Sequence, residues 1–210
     1  MNFEIKIINN FFDISDFNLV NNVKLDEIES NKLKVYHNTI DKKNVVQQSC
    51  IDENLIEFIH KKYHQKVFEI LEELNLGKSK LYDYTDLTII KTGKNCKFPI
   101  HDDTPNKLLS GVIYLNPEIN AGTMFYENKK GDNKKTIPWE KNRAVFFSRK
   151  ERETWHSYEG DGKSDRIALI YNLMTNNIRD VYKVEKKNYF LGNFRYKINP
   201  YIFEYFKTTI

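Results

Sequence analysis

Cysteine, proline and long apolar runs are all scarce in this chain. Two cysteines, Cys50 and Cys96, and five prolines occur in 210 residues. Two thiols allow one disulfide at most, and behind an N-terminus without a secretion signal they read as free thiols in a reducing, cytoplasmic setting. That N-terminus, MNFEIKIINNFFDISDF, sets acids inside its apolar stretch and lacks a basic start followed by a small-residue cleavage site. No apolar run approaches the roughly 20 residues of a membrane span, and the mean hydropathy of -0.64 points the same way. Charge of a single sign is missing too. The 33 Lys and Arg are interleaved with 29 Asp and Glu for a net charge of +4, which is weak ground for a nucleic-acid partner. There is no internal repeat and no low-complexity linker. What is present, 40% hydrophobic and 14% aromatic residues, is enough for one core in a single domain over residues 1–210. Oligomeric state leaves no mark in the sequence.

One long helix is expected. From Asp52 to Leu76, Ile56, Ile59, Tyr63, Val67, Ile70 and Leu74 fall at three- and four-residue steps, with Asp52 as N-cap and Gly77 as the stop. Before it, Leu33 to Asn38 and parts of Met1 to Asn10 read as short strands, and Leu25 to Ser30 as a helical turn. After Lys78 the pattern changes to short strand-like runs: Leu87 to Lys91, Phe98 to Asp103, Leu108 to Leu115, Thr123 to Tyr126, Lys135 to Pro138, Ala144 to Phe147, Thr154 to Ser157 and Arg166 to Leu173. Such spacing, with Gly, Asn and Asp between the runs, predicts an antiparallel sandwich or barrel, best a jelly roll. The fold class is therefore mainly β with an N-terminal helix (α+β). Residues 1–80 form a helical and mixed support, about 81–175 the jelly-roll core, and 176–210 an aromatic, basic segment packed on its outside.

The stretch FPIHDDTPN, Phe98 to Asn106, loads a histidine and two aspartates onto the lip of the apolar run LLSGVIYLN. Side chains alternate across a strand, so Asp103 shares a face with His101 while Asp102 takes the other. A histidine and a carboxylate two apart offer an imidazole nitrogen and a hard oxygen to one metal. His156, in ETWHSY, is a third ligand that an adjacent strand can bring beside His101. Two histidines and one carboxylate on one face of a metal make the facial triad of non-haem iron(II) oxygenases, with the opposite positions open for a bidentate 2-oxo acid and dioxygen. Ten residues past His156, Arg166 opens SDRIALIYNL. An arginine in so apolar a strand is costly to bury without an anion, and its planar guanidinium can grip a carboxylate bidentately, as the distal carboxylate of 2-oxoglutarate requires.

Together HDD with its flanks, SGVIYLN, AGTMFY, NRAVFFS before His156, and RIALIYNL resemble the iron(II)/2-oxoglutarate dioxygenase superfamily, most closely its prolyl 4-hydroxylase-like branch. The similarity runs from about Leu87 to Leu173 in matching order and spacing. It implies a double-stranded β-helix core, catalytic metal ligands His101, Asp103 and His156, and cosubstrate contacts from Arg166 and from Tyr114, whose strand ends Tyr-Leu-Asn, with Ser110 the weaker candidate. It also implies Fe(II), 2-oxoglutarate as cosubstrate and dioxygen, allows ascorbate as a reductant, and suggests a prolyl residue in a protein or peptide, or a free amino acid, as substrate. Two departures stand out. KTG, Lys91 to Gly93, lacks the tyrosine often found before the glycine that precedes His-x-Asp, and Ile170 replaces a small hydroxyl residue four past the arginine. A nucleic-acid demethylase of the same superfamily would carry a second arginine where Asn172 stands. A cupin-like metal-binding module without oxygenase activity could use the same three ligands but has no need of an inward arginine. His60 and His64, beside Lys61 and Lys62, lack the glutamate of a zinc-protease helix and are read as a solvated face, and His37 is read as structural. Substrate specificity is expected from Lys94 to Phe98, Glu127 to Lys135 or the N-terminal section.

Overall fold

Asp52 caps the long helix as the sequence predicts, its carboxylate accepting from the Asn54 amide at 2.9 Å. The computed structural model describes residues 3–206; Met1, Asn2 and the tail 207–210 of the C-terminal packing segment lie outside the described residues. Four short strands, β1 (Lys6–Ile8), β2 (Leu33–Tyr36), β3 (Thr39–Asp41) and β4 (Val46–Gln48), and a helix, α1 (Ile14–Asn21), precede the long helix α2 (Glu53–Ser79). Ile56, Ile59, Tyr63, Val67 and Ile70 of α2 are buried in the main core, with Phe12 edge-on to Tyr63 and Phe11 tilted against it. The helix does not stop at Gly77. Asn75 leaves helical geometry, its side chain caps the Lys78 amide at 3.3 Å, and one further turn carries Lys78 into the interior, where its ammonium meets the Glu185 carboxylate at 2.6 Å. The helical turn expected at 25–30 is absent, because the segment is held extended: the Tyr36 hydroxyl accepts from the Asp26 amide and Lys91 donates to the Asp26 carbonyl, both at 2.9 Å.

The eight expected strands after α2 all form: β5 (Tyr84–Thr92), β6 (Lys97–His101), β7 (Lys107–Asn116), β8 (Thr123–Tyr126), β9 (Lys135–Ile137), β10 (Ala144–Phe147), β11 (Trp155–Glu159) and β12 (Arg166–Met174). They pair antiparallel in two sheets, one running β1-β10-β7-β12-β5-β3-β4 with β2 also on β5, the other β6-β11-β8-β9. The architecture is mostly antiparallel β and jelly-roll-like, with four helices among the described residues. Alternation explains which face is filled: Leu109, Ile113 and Leu115 of β7 and Leu169, Tyr171 and Leu173 of β12 turn to the core beneath α2. The C-terminal segment is helical, α3 (Ile178–Val184) and α4 (Tyr189–Phe206). Val181 and Tyr182 of α3 are buried, and α4 rests on Tyr182 at Gly192, where an added Cβ would sit 2.2 Å from the ring. No described helix is long and apolar enough to cross a membrane. Cys50 and Cys96 are free thiols.

His60 and His64 do not form a solvated face. His60 is 1% exposed, stacks on His64 with ring centroids 4.4 Å apart, and shares a hydrogen bond with Thr85 Oγ1 at 3.0 Å. The lysines between them point outward and hid this inward pair. Burial, with His64 adding to it, pulls the His60 imidazole down to about 3. The unfolded chain therefore takes up a proton near pH 6.5 that the folded chain refuses, so stability falls as the pH falls below 6.5, by about 1.4 kcal/mol per pH unit from this group. In urea unfolding between pH 6.5 and 4.5, His60→Gln should lose stability less steeply than the parent protein by about that slope.

Candidate metal centre and its two cavities

Antiparallel pairing of β6 with β11 sets His156 directly opposite His101, and their ring centroids lie 4.4 Å apart. Each ring is oriented by a backbone carbonyl two residues back. His101 Nδ1 meets Pro99 O at 2.8 Å and His156 Nδ1 meets Thr154 O at 2.9 Å. A carbonyl can only accept, so both Nδ1 atoms carry the proton and both Nε2 lone pairs are left for a ligand. The strand ends at His101, not at Asp103 as expected, so alternation is not what aligns the aspartate. Asp103 is turned in by its neighbours: Arg149 Nε donates to its carbonyl at 3.0 Å, Ser110 donates to Oδ2, and Lys107 donates to Oδ1 at 2.7 Å. One ligand atom each from His101, Asp103 and His156 lies within 4.8 Å of the others, the only such group among the described residues.

The electrostatics suit a dication. Burial would push the Asp103 carboxyl up, but the Lys107 ammonium and the two imidazoles hold it well below the usual carboxylate range. Burial, with His101 adding to it, pulls His156 down to about 4, so its imidazole is neutral at pH 7. A charged carboxylate at Asp103 and a neutral imidazole at His156 are protonation states that metal ligation needs.

Behind the cluster, between the sheets, lies a cavity of about 180 Å³ whose walls include Arg166, Lys107, Ser110, Thr123, Tyr158 and Asn172. Arg166 is 7% exposed and its guanidinium lies 4.1 Å from the Tyr158 ring centroid, with Trp139 and Tyr114 at 5.5 and 5.6 Å. Its Nε is buried without a partner, and no carboxylate among the described residues pairs with it. Burial disfavours this cation and pulls it down from its ordinary value while the two tyrosines oppose the shift; arginine nonetheless stays charged. The Tyr114 hydroxyl is engaged with Thr123, donating to Oγ1 at 2.8 Å and accepting from the amide at 3.0 Å, so Thr123 stands at the cavity wall in front of it. Asn172 Nδ2 is tied to Asp86 and its Oδ1 is buried without a partner.

In front of the cluster a second cavity, about 330 Å³, opens between the metal edge and the C-terminal helices. Phe98, Pro99 and Pro105 form one wall, Arg149, Glu151 and Arg152 another, and Gly192, Arg195, Tyr196 and Asn199 of α4 the roof. Asp102 lines this cavity, not the inner one, and pins the loop by accepting from the Arg152 amide at 2.8 Å. Of the stretches expected to read a substrate, only Phe98 reaches it. Sequence reasoning missed Lys107, Thr123, Tyr158 and Trp139. Lys107 and Ser110 are three apart, which in a regular strand puts them on opposite faces; a register shift between Leu173 and Met174 of the partner strand β12 brings Lys107 round.

No protein-family model and no curated protein matches the chain. Among solved structures it is similar to a Pseudomonas putida prolyl-4-hydroxylase, with TM-score 0.54 and 11% identity over 83% of this chain and 94% of that one. It is also similar to an oxidoreductase of the 2OG-Fe(II) oxygenase family from Burkholderia pseudomallei, with TM-score 0.55 and 14% identity over 81% and 84%. A third, a prolyl hydroxylase from Trichoplax adhaerens in complex with a hypoxia inducible factor oxygen degradation domain peptide fragment, gives TM-score 0.50 and 17% identity over 84% and 86%. The chain thus has the fold of 2OG-Fe(II) oxygenases, prolyl hydroxylases among them.

The geometry separates the two aspartates of HDD. In a Co(II) titration followed by the visible d–d bands, Asp103→Ala should weaken binding by on the order of 100-fold or more, beyond what an outer partner is worth, and Asp102→Ala should leave it within a few-fold.

Proposed function

We propose that the protein is an Fe(II)- and 2-oxoglutarate-dependent dioxygenase that hydroxylates an organic substrate and releases succinate and carbon dioxide. The observation that carries this reading is Arg166, a buried guanidinium without a carboxylate partner at the wall of a cavity that also reaches the His101, Asp103 and His156 cluster. A buried, unpaired cation is expensive, and a ligand carboxylate in that cavity removes the cost. A cupin-like module would gain nothing from it. The interleaved strand orders, β10-β7-β12-β5 against β6-β11-β8-β9, support a double-stranded β-helix core within one catalytic domain over 1–210.

His101 and His156 would hold iron through Nε2 and Asp103 through a carboxylate oxygen. When bound, iron supplies the redox chemistry: dioxygen is split, one oxygen atom entering succinate as 2-oxoglutarate loses carbon dioxide, the other entering a C–H bond of the substrate. The chain's own residues do the rest. Arg166 takes the distal carboxylate, with Tyr158, Trp139 and Tyr114 fixing the plane of the guanidinium. Ser110 orients Asp103 and stands beside the cosubstrate, while Phe147 and Val112 help to keep the inner cavity apolar. The outer cavity receives the substrate on the opposite side of the metal edge, so the two organic molecules approach the metal from different directions. Its size suits a prolyl residue in a peptide or a free amino acid, and the peptide bound to the Trichoplax enzyme supports that choice.

Anaerobic addition of 2-oxoglutarate to the Fe(II) protein should produce a metal-to-ligand charge-transfer band and raise Tm. Arg166→Met should weaken that binding by roughly 30-fold or more, the cost of losing one buried charge partner. A parent protein that shows neither band nor Tm shift at millimolar 2-oxoglutarate would rule the reading out.

A further inference from the structure

The inner cavity holds a second cation with no counterpart in the sequence reading, and its position suggests what it does there. Lys107 opens β7 and Arg166 opens β12, and the two strands run antiparallel with Met174 opposite Lys107 and Asn116 opposite Ile167. The two cations therefore enter the cavity from opposite ends of the strand pair, Lys107 at the end occupied by Asp103. The Lys107 ammonium donates to Asp103 Oδ1 at 2.7 Å, whereas Oδ2 is the oxygen nearer His156, 3.9 Å from its Nε2. An ammonium has three donors, and among the described residues its side chain has one partner. Two N–H groups remain for a ligand, and Lys107 lines a cavity whose only lining carboxylate is Asp103.

We propose that Lys107 is a cosubstrate-binding residue that holds the 2-oxo acid end of the cosubstrate, the carboxylate next to the ketone, while Arg166 holds the far carboxylate. This rests on the oxygenase reading above and adds to it a residue and a division of labour. A chelating 2-oxo acid brings a second carboxylate to a site where Asp103 is already negative. An ammonium between the two offsets their repulsion and adds a charge-assisted hydrogen bond to the incoming one. The cavity then offers two cations at opposite ends, and a dicarboxylate is the molecule that satisfies both.

The two ends can be read separately. The Fe(II) protein, held anaerobic and saturated with metal, is titrated with 2-oxoglutarate and with 2-oxobutyrate, which has the same 2-oxo acid head and no second carboxylate. Charge-transfer absorbance and Tm report binding. Lys107→Met should weaken both ligands by a similar factor, roughly tenfold or more, the worth of one charge-assisted hydrogen bond; Lys107→Arg should restore most of it. Arg166→Met should weaken 2-oxoglutarate alone. Unchanged 2-oxobutyrate binding in Lys107→Met overturns the proposal. So does a loss of Fe(II) itself in both Lys107→Met and Lys107→Gln, because Lys107 would then serve Asp103 only. A parent protein that binds neither ligand fails the oxygenase reading instead, so the two failures are told apart.

Discussion

Arg149 is where the helices, the metal edge and the outer cavity are joined. Its side chain is 2% exposed, its Nε holds the carbonyl of Asp103, and its terminal nitrogen meets both oxygens of Glu185 at 2.9 and 3.1 Å. The same carboxylate takes the Lys78 ammonium from the far end of α2 and the Glu151 amide from the loop after β10. The two cations share one buried carboxylate, with Asp102 a further 4.0 Å from Arg149 and the Arg149 carbonyl accepting from Lys78 as well. Removing one member would strand the others, typically at a cost of about 3–5 kcal/mol. The aspartate of the candidate cluster is thus positioned by a network that begins at Lys78, just before β5, and ends at Glu185, after β12.

Much of this was legible in the sequence because it depends on short-range rules. The α2 stripe and its cap follow from three- and four-residue spacing, and all eight core strands from runs of β-branched and aromatic residues between turns. His101 and Asp103 are two apart, and an arginine inside RIALIYNL is conspicuous without any structure. What escaped depends on long-range contact. Helix α1 is short and carries a weak apolar stripe, and Asp16, a solvent-like residue by type, is buried by Tyr63 and Lys62 from α2. The extra turn past Gly77 exists to bring Lys78 to Glu185, 107 residues away. His60 and His64 looked wet because their sequence neighbours are lysines, yet on a helix the neighbours in sequence occupy different faces. Lys107 needed a strand irregularity that no periodicity displays, and the helices over the outer cavity read as generic packing because their aromatic residues gave no clear face.

Two cavities of different character meet at the candidate site. The inner one is bounded by core strands, and its two cations come from β7 and β12, whose geometry is held on both sides by ladder hydrogen bonds. The outer one is bounded by a loop and by α4, which turns Gly192, Arg195, Tyr196 and Asn199 inward and leaves Phe190, Phe194, Tyr201 and Tyr205 more than half exposed. On the oxygenase reading proposed above, rigid strands would suit a cosubstrate common to every turnover, whereas loops are where specificity usually resides.

Gly192 gives that division a physical handle. Because α4 touches the Tyr182 ring where a Cβ has no room, the height of the roof above the metal edge is set by a missing methyl group. Any side chain at 192 must lift the helix or swing the ring, and either changes the volume in front of the His101, Asp103 and His156 cluster. The strands that hold the His101, Asp103 and His156 cluster and the helix that roofs the outer cavity are thus separate stretches of the chain, each with its own packing.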